Sequence, residues 1–317
     1  MDHRSRRWPP EFEVQLTAPD IDPWREGNTG VAGFTSQDSS VPGPHVAITA
    51  LAHGNEVAGA IVVDELLRGG LRPVRGRLTL GFLNLAAFDR FDPGHPTLSR
   101  FIDEDLNRVW DIAILGSKRK SLELERARAV RPLIDTVDVL LDLHTMLWPS
   151  DPLMLCGVPE KGRVLAEGIG IPALVVADPG HAAGRRLIDY ARFSEPRSPY
   201  VTNLLEAGQH WQPSSVEVMR AAATGLLNYM RMAPAELPPP ARMKQRFAEV
   251  TRAVVAGSPG FAFVQPWRGG EIIDRRNTLI ALDGEEEIRT PHDECLLVMP
   301  SLRPSRGHTA VRLARFA

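Results

Sequence analysis

The sequence predicts an α/β fold with a mainly parallel sheet, followed by a smaller β-rich domain. Short apolar runs alternate with longer amphipathic stretches from residue 45 to residue 230. The composition then breaks at Pro234-Ala235-Glu236-Leu237-Pro238-Pro239-Pro240, a stiff linker-like segment. Beyond it, short runs are separated by turn residues. Strands alternating with helices build parallel βαβ units, whereas closely spaced short strands build β-rich modules. The division is an N-terminal arm over 1–44, an α/β domain over 45–233 and a β-rich domain over 241–317.

The arm carries Pro, Gly and Ser throughout and little periodicity, so it reads as irregular. His45–Ala52 is mostly apolar, as a buried parallel strand is. His53-Gly54-Asn55-Glu56 leads from it into a helix over Val57–Leu67, closed by Gly69-Gly70. Strands follow at Arg77–Leu83 and Val137–Leu143, with a charged helix over Ser121–Ile134 between them. Further strands are expected at Leu153–Cys156, Ala173–Ala177 and Val201–Leu205. A helix over Ser214–Met230 has Ser214 or Ser215 available as its cap. The C-terminal runs are Arg252–Val255, Gly260–Val264, Glu271–Ile273, Thr278–Leu282, Cys295–Met299 and Ala310–Arg315.

Composition excludes several classes. With 37 basic and 39 acidic side chains the formal charge is −2, so no cationic field favours nucleic acid. No apolar stretch approaches the ~20 residues of a membrane helix. Met1–Arg7 is followed by Pro and acidic residues instead of an apolar signal core. Cys156 and Cys295 are far apart and form no metal-type spacing. A cytoplasmic protein is expected. Its oligomeric state is left open, a homo-oligomer included.

Four segments could carry chemistry. His53 and Glu56 stand three apart directly after a strand, where parallel sheets form ligand sites. Their nitrogen and oxygen suit zinc, although H-x-x-E pairs also arise by chance. Asp142-Leu143-His144-Thr145 closes another strand; Asp142 could orient His144, or His144 could be a core-edge residue. Together these segments supply His, Glu and His, a set that leaves a metal one open position. Glu206 closes a third strand, where a carboxyl is costly unless paired or used; it could move protons or merely form an ion pair. Arg100 with Asp105-Leu106-Asn107-Arg108 suits a carboxylate or oxyanion, but a solvated charged loop has the same composition.

In this order, His53-Gly54-Asn55-Glu56, Asn84-Leu85-Ala86-Ala87, Asp105-Leu106-Asn107-Arg108, Asp142-Leu143-His144-Thr145 and Glu206-Ala207-Gly208 resemble the succinylglutamate desuccinylase/aspartoacylase family. That resemblance implies a zinc carboxypeptidase-like fold: a mainly parallel to mixed sheet flanked by helices, with a smaller C-terminal β-rich domain. It implies a hydrolase that cleaves the amide of a small N-acyl amino acid with one Zn2+ per chain. Zinc falls to His53, Glu56 and His144, and proton transfer to Glu206. Arg100 matches the arginine that polarises the scissile carbonyl, and Asn107 and Arg108 the pair that holds a substrate carboxylate. A further anchoring arginine is expected in the loop before Glu206, with Arg197 nearest in spacing and Arg192 the alternative. A tyrosine is expected there too, either Tyr190 or Tyr200. Competing readings are a carboxypeptidase acting on peptide C termini and a non-catalytic binding relative.

Other signals are discounted. No H-E-x-x-H or G-x-S-x-G occurs. Gly168-Ile169-Gly170 follows a helix and reads as its stop, not as a dinucleotide loop. The C-terminal turns look like those of a biotinyl carrier module, but Leu282-Asp283-Gly284 puts no lysine at the tip. Met146, Leu147 and Trp148 could shape an acyl pocket or belong to the core.

Overall fold

The computed structural model describes residues 12–317; Met1–Arg7, read above for a leader, lies outside them. An eleven-stranded mixed sheet dominates, in the order β1-β3-β2-β4-β7-β5-β6-β8-β14-β13-β10. Its first seven strands are β1 (Phe34–Asp38), β2 (His45–Ala50), β3 (Arg77–Phe82), β4 (Val139–Met146), β5 (Leu153–Leu155), β6 (Leu174–Ala177) and β7 (Val201–Gln209). β2, β3, β4 and β7 run parallel, β1 pairs antiparallel with β3, and β5 pairs antiparallel with β7 but parallel with β6. The helices are α1 (Val57–Arg68), α2 (Leu85–Phe88), α3 (Ile112–Leu115), α4 (Leu122–Ile134), α5 (Glu160–Ile169), α6 (Ala191–Ser194) and α7 (Pro213–Tyr229).

The strands are apolar on both sides because helices cover both faces. Val46, Ile48 and Leu205 pack with α1, α5 and α7; Ala47 and Leu140 pack on the other face with Trp110 and α4. α4 starts where Ser121 accepts the Leu124 N–H, a side-chain cap. Gly170 ends α5 in the left-handed region (φ 76°), as expected of the Gly168-Ile169-Gly170 stop.

Several local expectations need correction. α7 has Gln212 at its cap position with no side-chain cap bond, and Ser215 Oγ instead donates to the Gln209 carbonyl. Residues 34–38, in the stretch read as irregular, form β1, because its backbone pairs with β3 whatever its weak periodicity. β4 and β7 run past the expected ends at Leu143 and Leu205, so His144 and Glu206 are ladder residues. Their backbones stay paired while their polar side chains leave the apolar pattern.

The C-terminal region adds β8 (Arg246–Val255), β9 (Phe261–Phe263), β10 (Ile272–Ile273), β11 (Leu279–Asp283), β12 (Glu286–Arg289), β13 (Cys295–Val298) and β14 (Thr309–Phe316). β8 is longer than the run at Arg252–Val255 and pairs parallel with β6, so the large sheet continues into this region. β9, β11 and β12 form a separate three-stranded antiparallel sheet. β12 has no apolar run to announce it; its residues are Glu286, Glu287, Ile288 and Arg289. No helix among the described residues is long and apolar enough to cross a membrane.

Candidate active site

The site forms where the chain leaves β2 and where β4 and β7 approach their C-terminal ends. His53 opens the turn that leads from β2 to α1, its carbonyl accepting the Glu56 N–H, and Glu56 occupies the N-cap position of α1. His144 projects from β4, and its backbone pairs with that of Glu206 on β7. The ligand atoms of His53, Glu56 and His144 lie within 4.8 Å of one another, and all three residues are buried.

The geometry within this triad is directional. His53 Nδ1 is 2.7 Å from Glu56 Oε1, and His144 Nδ1 is 3.1 Å from Glu56 Oε2. The far ring nitrogens face carboxylates as well. Asp105 Oδ1 is 2.9 Å from His53 Nε2, and Asp142 Oδ2 is 2.8 Å from His144 Nε2. Metal-binding imidazoles characteristically turn their second nitrogen to a carboxylate, which fixes ring and tautomer. Thr49 Oγ1 donates to Asp142 Oδ1 at 2.7 Å, so the outer carboxylate is itself held. The donor set therefore fits one metal ion with a supported outer layer.

Electrostatics agree with that assignment. Burial alone would raise the Glu56 pKa, but the two imidazoles hold it well below the carboxylate range. Burial would lower the His144 pKa, yet Asp142 and Glu56 raise it well above the usual histidine value. Burial also opposes ionisation of Asp105, and His53 with Arg100 overcomes it. Metal ligation requires deprotonated donors, so binding an ion here would release protons.

Glu206 lies alongside. Its Oε2 is buried with no hydrogen-bond partner. Burial pushes its pKa up to about 8 against the nearby His144, while Glu56 adds to the rise. A carboxyl kept in this range can both accept and return a proton near neutral pH.

Arg100 Nη2 sits 2.8 Å from His53 Nε2 and donates to Asp105 Oδ2 at 3.0 Å. Asn107 Nδ2 is 3.5 Å from His144 Nε2, while its Oδ1 accepts the Leu187 N–H. Arg108 is mostly buried and donates to the Asn107 carbonyl. Its burial, with Arg100, Arg186 and Arg312 nearby, lowers its pKa to about 10 despite the opposing pull of Asp105. The loop carrying these groups is pinned by Glu123, which accepts the backbone N–H groups of Ile102, Asp103 and Glu104.

Thus His53, Glu56, Arg100, Asn107, Arg108, His144 and Glu206 are brought together. Arg197 is not: it lies exposed in the turn after α6. Arg192 donates to the Val137 carbonyl and stacks 3.4 Å from the Tyr200 ring centroid, at the start of β4 and away from His144. The Tyr190 hydroxyl donates to Asp135, likewise away from the site. His210 and Trp211 buttress the site: His210 Nδ1 is 2.5 Å from Thr145 Oγ1, and Trp211 Nε1 donates to the Asn55 carbonyl. Met146 is buried in the core, and Trp148 packs edge-on against Phe12.

Sequence reasoning missed Asp105 as the partner of His53, and it missed Glu123, Asp178, Arg186 and Arg312. Arg312 had a signal: within the β14 run Ala310–Arg315 it shares a strand face with the buried Ala314. An arginine on such a face must find a buried partner.

The profile of the succinylglutamate desuccinylase/aspartoacylase catalytic domain matches residues 42–233. Aspartoacylase of Xenopus tropicalis is 31% identical over 114 residues, covering 32% of this chain and 34% of that protein. Aspartoacylase of Mus musculus is 30% identical over 122 residues, covering 35% of this chain and 37% of that protein. The chain thus spans about a third of the length of these curated relatives. Succinylglutamate desuccinylase from Vibrio parahaemolyticus superposes with a TM-score of 0.67 at 18% identity, over 90% of this chain and 86% of that one. Murine aminoacylase 3 superposes with a TM-score of 0.64 at 19% identity, over 88% of this chain and 97% of that one. Those two structures share the fold. Because the profile covers more than half of the residues, the chain belongs to the succinylglutamate desuccinylase/aspartoacylase family.

Proposed function

We propose that this protein is a zinc-dependent amidohydrolase that splits a small N-acyl amino acid, or a close analogue, into a carboxylate and a free amine. The observation that carries it is the pairing of the buried His53-Glu56-His144 triad with Glu206 on the adjacent strand. His53 Nδ1, Glu56 and His144 Nδ1 would hold the ion, with Asp105 and Asp142 behind the imidazoles. Nitrogen and carboxylate donors suit zinc, and the ion supplies Lewis acidity for attack on the acyl carbonyl.

The remaining work falls to the chain itself. Glu206 Oε2 takes a proton from the attacking water and passes it to the departing amine nitrogen. Arg100 donates to the oxygen on which negative charge develops, a contact of this type being worth about 2.7–4 kcal/mol. Asn107 and Arg108 hold a carboxylate of the amino acid portion and so orient the amide.

A small substrate is favoured over a peptide terminus by the placement of the C-terminal region. Gly269 exchanges backbone bonds with Pro149 and Asp151, in the loop after β4, and β14 carries Arg312 close to Glu206. That region therefore flanks the cleft. A cytoplasmic location forms part of the same proposal, in keeping with two free buried cysteines.

The test is elemental analysis of the purified chain together with a panel of N-acyl amino acids. About one zinc per chain, lost in His144→Ala, with amine release that stops on chelation and returns with zinc, is expected. Hydrolysis that persists after complete zinc removal would overturn the mechanism. A chain that takes up no zinc would favour the binding-protein reading.

A further inference from the structure

Six non-glycine residues stand in the left-handed region among the described residues, and only two of them are buried: Leu51 (φ 60°) and Trp211 (φ 61°). Both flank the site. Leu51 directly follows β2 and lies two residues before His53, and Trp211 stands two residues after the end of β7. A bulky residue in that region strains the backbone, so its surroundings must hold it there. The Leu51 carbonyl accepts the Asn84 N–H, from the segment that follows β3. The Trp211 carbonyl is met from far away in the chain: it accepts the Gln15 N–H at 3.2 Å.

Residues 12–16 lie extended at this contact. Phe12, Val14 and Leu16 are half-buried against the core, while Glu13 and Gln15 are exposed. The Phe12 ring meets Trp211 edge-on at 5.9 Å and Trp148 at 5.5 Å, so it ties together the segments that follow β4 and β7. At its other end, Trp211 reaches the triad. Its Nε1 donates to the Asn55 carbonyl at 2.9 Å. Asn55 stands between His53 and Glu56, and its side-chain oxygen is buried without a partner. The neighbouring His210 ring is 5.1 Å from Trp211, and its Nδ1 is 2.5 Å from Thr145 Oγ1. The Thr145 N–H in turn donates to Glu56 Oε2 at 3.1 Å. Two routes therefore run from Trp211 to the donors. One ends on the turn that carries His53 and Glu56, and the other on Glu56 through the residue that follows His144.

We propose that Trp211 is a positioning residue for the metal donors, and that segment 12–16, through the Phe12 ring and the Gln15 N–H, keeps Trp211 in place. The N-terminal segment is then a working part of the metal site, acting at a distance from the ligands. This inference rests on the proposed function in one respect, that the triad binds zinc. Groups that orient metal ligands from behind typically change metal affinity 10–100-fold when lost.

Zinc affinity of the full chain, read by competition with a chelator, tests it. Trp211→Phe keeps a ring in the core but loses the indole N–H, and it should bind zinc about tenfold or more weakly. Gln15→Pro deletes the N–H that meets the Trp211 carbonyl, and it should weaken zinc binding about threefold or more. Gln15→Ala keeps that N–H and should match wild type. A role in packing alone would lower the urea midpoint of the metal-free protein and leave zinc affinity at the wild-type value. Wild-type affinity in Trp211→Phe overturns the role of Trp211. Wild-type affinity in Gln15→Pro, or an equal loss in Gln15→Ala, overturns that of the segment. If Trp211→Phe lacks the native circular-dichroism spectrum, the two Gln15 variants decide, because that position is exposed. A wild type that takes up no zinc overturns this inference together with the functional reading. The expected affinities without amide hydrolysis overturn the functional reading alone. Hydrolysis with zinc affinity unchanged in every variant overturns this inference alone.

Discussion

Glu206 has one carboxyl oxygen buried without a partner, a state that burial keeps protonated in the metal-free chain. A cation at the adjacent triad favours its carboxylate, so the group is poised between the two forms. Glu206→Gln keeps shape and burial but cannot carry the proton. Turnover should fall by about 10²–10⁴ while zinc content stays at the wild-type value, measured together on one preparation. Loss of zinc in that variant would instead make Glu206 a ligand. Asp142 offers the complementary case, since it touches His144 and Thr49 but none of the proposed reacting atoms. Asp142→Ala should weaken zinc affinity by about 10–100-fold, read by competition with a chelator.

Elements act on the site through close backbone approaches. The turn between β2 and α1 carries both His53 and Glu56, and Gly54 lies between them. A Cβ at Gly54 would stand 2.3 Å from the Ala87 carbonyl carbon and 2.4 Å from the Phe88 nitrogen, both in α2. The Gly54 N–H also donates to the Arg100 carbonyl, so this turn anchors the arginine loop. Backbone cannot swing aside as a side chain would. Gly54→Ala should therefore cost about 1–3 kcal/mol in urea unfolding and lower zinc affinity as well. Wild-type values for both would show that the α2 contact is slack. The loop from Ile102 to Glu104 is fixed differently, by Glu123 in the first turn of α4. An acidic residue early in a helix reads as a dipole partner, so nothing local marks this one as the anchor of a distant loop.

At the scale of the molecule, buried neutral histidines couple folding to pH. His210 is buried, and burial lowers its pKa to about 3, with the nearby Arg100 adding to the drop. The folded value lies below the unfolded one of about 6.5, so the unfolded chain binds the extra proton. The stabilising contribution is therefore complete above pH about 6.5 and is lost as pH falls towards 3. Between pH 7.5 and 5.5 one such histidine removes roughly 1–1.5 kcal/mol. His210→Gln should reduce the acid-induced loss of stability by that amount in urea titrations at the two pH values. An identical pH dependence in both proteins would show that folded His210 binds a proton as readily as the unfolded chain does.

Much was legible from the order of residues alone. Apolar runs of strand length alternating with helical periods mark an α/β sheet, because a strand covered on both faces must be apolar on both. Short-range spacing also placed His53 with Glu56 and Asp142 with His144, since residues two or three apart keep their geometry in any strand or turn. What the sequence by itself determined was therefore the local chemistry: the donor types of the triad and the carboxyl of Glu206 that accompanies them. Tertiary structure decided the rest. It continued the large sheet through β8 into the C-terminal region and turned Asp105 onto His53. It left Arg197 in solvent and set Arg312 against Asp178. Those pairings span 52 residues between His53 and Asp105 and far more between Asp178 and Arg312. No periodicity reaches across such separations; they are fixed only when sheet order and register bring distant strands side by side.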